Sequence, residues 1–410
     1  MLYLIILALV FSLSMIVIFW FFNLRKVVKI VAPILTLVPL LSLIYLSHVL
    51  TVLLVSLILI LLSCAISLEV VGESLEYAQS LIYVSLSYIL TLLLLSRDYV
   101  VLIALWIIAS AFFAPLLARR RSRESIYSCV KYVTFSAIGS TILIIGISIM
   151  MISGTLKILG LMLLVLGVLY EAGVVPLHTW LPDVYRKSDR ESVAMLASIM
   201  KIIAALALSR TFISLGIDGN YTIFLIFGIL SVITMIIGNL GALFANNVEH
   251  ILAFSSIAQT GYALAILSVG FLRESLMPSC LGVLILQFLS IAISKCALFL
   301  GLDSDGKYMR PMVLINALSL IGIPPLIGFW PKLFIVWYAL ETGQVWLALA
   351  VVINSAISVP YYIRLLRVYT VSKISKVLTA LVIVLTSLVI ILGTIFPLEI
   401  FRECINVLQF

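Results

Sequence analysis

Charged side chains are scarce in this chain of 410 residues: Lys, Arg, Asp and Glu together make up 10% of it, whereas hydrophobic residues make up 64%. Soluble domains are about half apolar and about a quarter charged, so this composition excludes a soluble multidomain enzyme and places the chain in the membrane class. At about 20 apolar residues per crossing, the chain could hold about a dozen to fourteen spanning helices, with nothing left for an extramembrane domain.

Side chains that hold redox centres are also few. The chain contains three histidines and five cysteines, and no two cysteines form a CxxC pair. Haem and iron–sulfur clusters need axial histidines or clustered thiolates. The sequence also lacks a Walker loop, a GxGxxG motif, a metal-ligand cluster and a nucleophile elbow. We therefore expect no cofactor and no metal in this chain, and no hydrolysis or reduction of a substrate by it.

Long apolar runs fill most of the chain and alternate with charged or turn residues, which is the pattern of an all-α polytopic membrane protein. The first run is too long for a cleavable signal and no basic residue precedes it, so we expect it to remain as a permanent helix. We predict fourteen membrane helices, near 2–22, 27–48, 50–68, 77–96, 99–118, 129–152, 157–180, 192–214, 222–245, 248–270, 276–302, 312–340, 344–369 and 377–400.

Basic residues are distributed unequally between the two sets of alternate loops: 17 of the 25 fall on one side and 5 on the other. Because basic loops stay in the cytoplasm, both termini are predicted to face outward. The arginine-rich run at 119–123 is interpreted as part of this orientation signal rather than as a pocket for anionic lipid. Three lysines remain, and they fall inside predicted helices: Lys201, Lys295 and Lys332.

A lysine at the centre of a membrane helix costs about 2.5–3.5 kcal/mol on insertion scales, so each of the three is a functional candidate. Glu171 is the only carboxylate well inside a predicted helix, helix 7, and Pro176 is expected to kink or break that helix just beyond it. Lys201 on the next helix can reach a similar depth. The two could form a pair that loads and releases a proton, or a static ion pair that locks two helices.

Predicted helix 12 contains Pro324, Pro325 and Pro331 directly ahead of Lys332. We expect two half-helices with the lysine at the break; a packing kink is the alternative. Helices 7 and 12 are thus both interrupted and both carry an ionisable group, which indicates two five-helix inverted repeats, helices 4–8 and 9–13. The corresponding segments are 1–96 with helices 1–4, 97–215 with the rest of the first repeat, 216–370 with the second repeat, and 371–410 with helix 14.

Two further residues are weaker candidates. Lys295 on predicted helix 11, with Gln287 and Ser294 nearby, could continue a hydrated row from Lys201 to Lys332, or its ammonium could extend to the cytoplasmic face. His178, just beyond the break in helix 7, could relay protons or could be a hydrogen-bonded structural residue.

Several motifs resemble one known family. They are GVVPLHTWLPDVY at 173–185, ALFANNVEHILAFSSIAQTGY at 242–262, SKCALFLG at 294–301, LSLIGIPPLIGFWPK at 318–332 and NSAISVPYYIR at 354–364. They resemble the antiporter-like proton-pumping subunits of respiratory complex I, which are related to Mrp cation/proton antiporters and to membrane-bound energy-converting hydrogenases. The last two motifs are most similar to the subunit N type, which mitochondrial naming calls subunit 2. The resemblance extends from about Asp98 to Arg367.

The resemblance implies roles for individual residues. Lys201 takes the position of the family's lysine on helix 8, Lys332 that of the ionisable residue on broken helix 12, and Lys295 a position on helix 11 that is often polar or basic. Two positions depart from the family pattern, since Ile107 stands where helix 5 usually has a glutamate and Glu171 stands where helix 7 usually has a lysine. Two interpretations follow: the carboxylate has moved onto helix 7 itself and pairs directly with Lys201, or the first half-channel has lost coupling and only the second conducts.

The resemblance also implies a function. We expect a membrane-arm subunit that translocates protons through the row Glu171, Lys201, Lys295 and Lys332. It would be a non-redox subunit of an NADH:quinone oxidoreductase type of translocase, with the redox centres in partner subunits. The expected partners are other membrane-arm subunits, the lipid bilayer and protons, with no nucleic acid, and the expected location is the plasma membrane of a prokaryote. An Mrp-type sodium/proton antiporter subunit and a structural spacer that has lost pumping are the alternatives.

Overall fold

The computed structural model describes residues 2–21, 31–32, 34–37, 77–96, 98–152, 156–215, 219–301, 309–368 and 376–394, and none of these residues forms a β-strand. Helical residues occur at 31–32 and 34–37. The other helices are α1 (Leu2–Phe21), α2 (Tyr77–Leu95), α3 (Tyr99–Leu117), α4 (Arg123–Ile152), α5 (Lys157–Ala172), α6 (Trp180–Lys187), α7 (Arg190–Met195), α8 (Lys201–Leu215), α9 (Tyr221–Phe244), α10 (Val248–Gly270), α11 (Met277–Gly301), α12 (Met309–Ile321), α13 (Phe329–Glu341), α14 (Val345–Val368) and α15 (Lys376–Thr394).

The all-α fold and the membrane class are confirmed. Seven helical segments within the described residues are long and apolar enough to cross a bilayer. Helices α5, α12 and α13 are too short for this, with 16, 13 and 13 residues, because each is half of an interrupted helix. The predicted helix at 50–68 and most of the one at 27–48 lie outside the described residues. The count of fourteen, the inverted repeats and the segment limits therefore stay predictions.

Both predicted breaks are present. α5 ends at Ala172 and is followed by Gly173 in the left-handed conformation, with φ +91°, before α6 begins at Trp180. α12 ends at Ile321 and is followed by Gly322, with φ +93°, before α13 begins at Phe329. Each interruption therefore begins with a glycine because glycine adopts positive φ at no steric cost.

Three of the four prolines that were assigned to the breaks lie in them, and one does not. Pro176, Pro324 and Pro325 lie between the half-helices, whereas Pro331 is the third residue of α13. The assignment of Pro331 to the break was wrong. A proline in the first turn removes an N–H group that has no intrahelical acceptor, so Pro331 is compatible with a helix that has already begun.

One irregularity was not predicted. Residues Leu196–Met200 form a π-helical turn that joins α7 to α8, and Lys201 follows it directly. π-Helical turns within α-helices are frequent at functional sites. The turn contains no glycine or proline, and it lies within an apolar run. Neither the turn residues nor the hydropathy therefore indicates it.

The described helices surround a buried centre. Most residues of the segment that contains α7 and α8 are buried, as are most residues of α11 and α10, whereas half of the residues of α4 are exposed. α11 contacts α7, α8, α10, α12, α13 and α15. Two of the three intramembrane lysines, Lys201 on α8 and Lys295 on α11, are therefore on the most enclosed helices of the described fold.

Candidate functional site

Lys332 lies at the carbonyl end of the second interrupted helix. Its Nζ donates hydrogen bonds to the carbonyl oxygens of Leu320 at 2.8 Å and Ile321 at 2.7 Å, the last two residues of α12. It also donates to Ser355 Oγ at 3.0 Å and lies 4.5 Å from the centroid of the Tyr262 ring. The final carbonyls of a helix have no intrahelical donors and carry a partial negative charge, so the interruption creates a binding site for this ammonium.

Lys201 has the same relationship to the first interrupted helix. Its Nζ donates to the carbonyl oxygen of Ala172, the last residue of α5, at 3.3 Å. The carbonyl of Ser256 at 3.3 Å and Thr260 Oγ1 at 3.2 Å complete its contacts. The side chain is 3% exposed. A helix carbonyl end thus lies at each of these two lysines.

Lys295 is fully buried and is held on α10. Its Nζ donates to the carbonyl oxygen of Leu252 at 2.6 Å and forms a close hydrogen bond with Ser255 Oγ. An ammonium that reached the cytoplasmic face would be exposed, and this one has 0% exposure. The snorkelling alternative for Lys295 is therefore wrong.

One helix, α10, links the three lysines. Ser255 contacts Lys295, the adjacent Ser256 contacts Lys201, and Tyr262 lies below Lys332. The structure therefore brings the three predicted lysines together along one helix. Within the described residues, none of the three forms an ion pair with a carboxylate; backbone carbonyl and hydroxyl oxygens surround each ammonium instead.

Two glutamines connect α11 with the break at α12: Gln287, which the sequence places near Lys295, and Gln259, which it does not assign to the site. Gln287 Nε2 donates to Gln259 Oε1 at 2.7 Å, and Gln259 Nε2 donates to the carbonyl of Leu320 at 2.8 Å. This carbonyl also accepts a hydrogen bond from Lys332. The amide pair therefore fixes the end of α12 to which the lysine is bound.

Glu171 does not contact Lys201, and the predicted direct pair is wrong. Its Oε1 accepts hydrogen bonds from Ser110 Oγ at 2.5 Å, Tyr132 OH at 2.6 Å and Ser136 Oγ at 3.4 Å, on α3 and α4. Side chains point away from the helix axis, whereas carbonyls point along it toward the C-terminal end. The carboxylate of Glu171 therefore faces α3 and α4, while the carbonyl of Ala172 at the end of α5 meets Lys201. Glu171 Oε2 is buried and has no hydrogen-bond partner in the described residues.

The structure also shows where Ile107 and His178, two other residues of the first half, are placed. Ile107 on α3 is partly buried in the apolar core, and Ser110, about one turn further along the helix, is the α3 residue that contacts the carboxylate. Ser110 and Tyr132 were missed because a lone hydroxyl in an apolar run gives no signal about its partner.

His178 is half-buried in the connection between α5 and α6, and it takes part in none of the described hydrogen bonds of Glu171 or Lys201.

The arginine-rich run at 119–123 contains one buried residue. Arg119 Nη2 lies 3.4 Å from Asp189 Oδ2 and 3.7 Å from Glu191 Oε2, and its side chain is 7% exposed. Arg120 in the same run is exposed. The structure therefore assigns Arg119 to a buried ion cluster at the start of α7, in addition to any contribution to orientation.

Half-buried ion pairs lie near this cluster along the chain. Lys131 pairs closely with Asp183, and Arg190 Nη2 lies 3.3 Å from Glu249 Oε1. Burial raises the pKa of Asp183, but the hydrogen bond and charge of Lys131 outweigh it and hold this pKa below its usual range. The first pair joins α4 to α6, and the second pair joins α7 to α10. These four helices surround the first break.

Two interrupted helices with buried ammonium groups at their carbonyl ends define a polytopic membrane protein of antiporter-like architecture. The chain belongs to the NADH:quinone oxidoreductase/Mrp antiporter transmembrane family, whose model matches residues 96–358.

Curated relatives share moderate identity with the chain. NADH-quinone oxidoreductase subunit N 2 of Opitutus terrae is 29% identical over 307 residues, which is 66% of this chain and 63% of the relative. Subunit N of Neisseria gonorrhoeae is 28% identical over 298 residues, 65% of this chain and 62% of the relative. The chain thus spans about 63% of the length of such relatives.

Solved structures share the fold at lower identity. A chain of the Mrp complex from Dietzia sp. superposes with a TM-score of 0.83 at 19% identity, covering 98% of this chain and 96% of that one. A chain of respiratory complex I from Thermus thermophilus gives a TM-score of 0.80 at 21% identity, covering 97% and 98%. A chain of the archaeal membrane-bound sulfane sulfur reductase gives 0.81 at 18% identity, covering 99% and 97%.

Proposed function

We propose that this chain is a proton-translocating membrane-arm subunit, of the subunit N type, in a complex I-type NADH:quinone oxidoreductase or a related energy-converting complex. The observation that carries the proposal is that Lys201 and Lys332 each bind the carbonyl end of an interrupted helix inside the apolar core. The names of the curated relatives support the assignment to subunit N.

The interrupted helices provide a physical means of binding and releasing a proton. A helix carbonyl end stabilises an ammonium through its partial negative charge. When a half-helix moves away from its lysine, the ammonium loses these acceptors in an apolar surrounding, where an uncompensated charge is costly. The lysine then gives up its proton. Movement of either break thus couples a conformational change to proton release.

The shared helix α10 couples the lysines to one another. Lys201 and Lys295 are bound by neighbouring residues of this helix, Ser256 and Ser255, so the positive charge of one disfavours the positive charge of the other. A proton that arrives at one lysine therefore favours release from the next one. The proton moves stepwise along the row, and no two adjacent lysines need to be charged at once.

Glu171 lies off the row and has a modulating role in this proposal. Its carboxylate is bound by three hydroxyl groups, and the next residue, Ala172, provides a carbonyl ligand of Lys201. A change in the charge of Glu171 changes the field at Lys201 over a short distance in a medium of low dielectric constant. His178, in the connection beyond α5, is a candidate relay between this region and the ion pairs around α6.

The proposal extends to the surroundings of the chain. The redox centres belong to partner subunits, and their reaction drives the movement of the half-helices. The neighbours are other membrane-arm subunits and lipid, the membrane is the plasma membrane of a prokaryote, and both termini face outward because the basic loops stay in the cytoplasm.

The parent complex, purified and reconstituted in liposomes, tests this function. Lys201→Met and Lys332→Met are expected to abolish most proton pumping while some electron transfer continues, and the half-exposed Lys157 replaced by Met is the control that keeps pumping. Unchanged pumping in both lysine variants contradicts the relay. Transport that depends on sodium identifies an antiporter module instead, and full proton stoichiometry after neutralisation of both Glu171 and Lys201 identifies a spacer.

A further inference from the structure

Three tyrosines form a buried cluster between Lys295 and Lys332: Tyr262 on α10 and the consecutive Tyr361 and Tyr362 on α14, hereafter the tyrosine cluster. All three have 0% exposure. The rings of Tyr361 and Tyr362 are 4.5 Å apart between centroids. Tyr361 OH donates to Asn239 Oδ1 at 3.0 Å, whereas the hydroxyls of Tyr262 and Tyr362 have no hydrogen-bond partner among the described residues.

One side of the cluster faces Lys295. The Tyr362 hydroxyl lies beside Ser255, Gln259 and Tyr361, without the geometry of a hydrogen bond to any of them. Ser255 Oγ is the group that accepts the close hydrogen bond from Lys295. A single serine therefore separates the ammonium of Lys295 from an unpartnered phenol.

The other side faces Lys332. The ring of Tyr262 lies 4.5 Å from Lys332 Nζ, and its hydroxyl lies beside Ser355 and Asn239 without a hydrogen bond to either. Ser355 Oγ in turn accepts a hydrogen bond from Lys332 at 3.0 Å. The arrangement at Lys295, lysine then serine then unpartnered phenol, thus recurs at Lys332.

Other connections also lie between the two regions. Ser294, the residue before Lys295, donates from its Oγ to Ser319 Oγ at 3.3 Å, and the Gln287 and Gln259 amides lead to the carbonyl of Leu320. An amide can orient its neighbours but does not exchange a proton readily at neutral pH, whereas a hydroxyl both donates and accepts. Buried polar atoms are hydrogen-bonded in the great majority of cases, so two unpartnered phenols between two lysines need an explanation.

We propose that the hydroxyls of Tyr262 and Tyr362 pass the proton between Lys295 and Lys332; this inference rests on the proposed function of the row. The ammonium of Lys295 loses one proton, and each phenol oxygen accepts a proton as it gives up its own. The neutral amine of Lys332 binds the last one. Both tyrosines end neutral, and water completes the steps between groups that are not in contact. Tyr361, whose hydroxyl is held by Asn239, supports the ring of Tyr362 and takes no part in the transfer.

Single hydroxyl deletions in the reconstituted parent complex test this inference. Tyr262→Phe and Tyr362→Phe are each expected to lower the rate of proton pumping by about tenfold or more, since a positioned proton-transfer group contributes at least that much to a rate. Tyr361→Phe is the matched control and keeps the wild-type rate. Native gel electrophoresis verifies that each variant is assembled.

If a phenylalanine variant does not assemble, Tyr262→His or Tyr362→His takes its place. The histidine variant is expected to retain pumping, because imidazole can also pass a proton.

Three outcomes overturn the inference: wild-type pumping in either Tyr262→Phe or Tyr362→Phe, an equal loss in Tyr361→Phe, or loss of pumping in an assembled histidine variant. They are distinguishable from failure of the proposed function. If Lys201→Met and Lys332→Met lose pumping while the tyrosine variants retain it, the row stands and only the route through the tyrosine cluster is wrong. If the lysine variants also pump normally, the proposed function itself fails.

Discussion

The ammonium of Lys332 lies 2.7 Å from the carbonyl oxygen of Ile321, the residue at which α12 ends. The same relationship recurs between Lys201 and Ala172 at the end of α5, where the distance is 3.3 Å. In one case the lysine comes from α13, the second half of the interrupted helix, and in the other it comes from α8, the third helix after α5 along the chain. The hydrogen bonds of both ammonium groups therefore depend on the position of a half-helix end.

Gly322 is expected to be required for the position of Lys332. It has φ +93°, and a Cβ at this position would lie 2.8 Å from Lys332 Cδ. Gly322→Ala should therefore impose both backbone strain, of about 1–2 kcal/mol, and displacement of the lysine. We expect a lower melting temperature of the complex and a loss of pumping that exceeds the loss of stability.

Gly343 provides the matched control for this substitution. Its φ is +77°, and no atom lies within 4 Å of an added Cβ. Gly343→Ala should lower the melting temperature through backbone strain alone and leave proton pumping per electron unchanged. Equal pumping in the two alanine variants would show that Gly322 has no special relation to Lys332.

Arg119 is expected to contribute more to stability than its neighbour in the arginine-rich run. Arg119→Ala leaves Asp189 and Glu191 buried without the arginine, and loss of one partner from a buried ion cluster costs about 3–5 kcal/mol. Arg120→Ala, at an exposed position, should change stability by less than about 0.5 kcal/mol. Thermal unfolding of the detergent-solubilised complex compares them; equal effects would mean that the run acts only as an orientation signal.

Hydroxyl groups surround the carboxylate of Glu171. We therefore expect replacement of Glu171 by glutamine to be tolerated and replacement by leucine to lower the stability. Glu171→Gln keeps an acceptor oxygen for Ser110 and Tyr132, whereas Glu171→Leu removes it and leaves the Tyr132 hydroxyl only the carbonyl of Ser110 at 3.1 Å and the Ser110 hydroxyl only its neighbouring hydroxyls. Loss of a typical hydrogen bond costs about 0.5–1.5 kcal/mol. Melting temperatures should therefore rank wild type and Glu171→Gln above Glu171→Leu. The reverse order would mean that the hydroxyls do not bind this carboxylate.

The sequence predicted the features that depend on composition and on proline and glycine. The apolar runs predicted the helices, Pro176 and Pro325 predicted the two interruptions, and three lysines in apolar runs predicted the buried row. These features follow from local rules, since a proline lacks an N–H and a buried charge is costly wherever it occurs.

The contacts of these residues could not be predicted in the same way. The rotation of α5 about its axis decides that Glu171 faces Tyr132 while Lys201 meets the carbonyl of Ala172. Charge alone favoured a direct pair, because opposite charges at equal depth attract. The π-helical turn before Lys201 and the amide pair of Gln259 with Gln287 likewise depend on packing between distant helices.

In the proposed function, Lys332 both binds the end of α12 and releases its proton. Lys332→Arg separates these properties, because a guanidinium can donate to the carbonyls of Leu320 and Ile321 but does not lose its proton in proteins. The direct measurement is the number of protons moved per electron by the reconstituted complex. We expect an assembled Lys332→Arg complex with a ratio as low as that of Lys332→Met. A wild-type ratio in Lys332→Arg would mean that Lys332 does not need to release a proton.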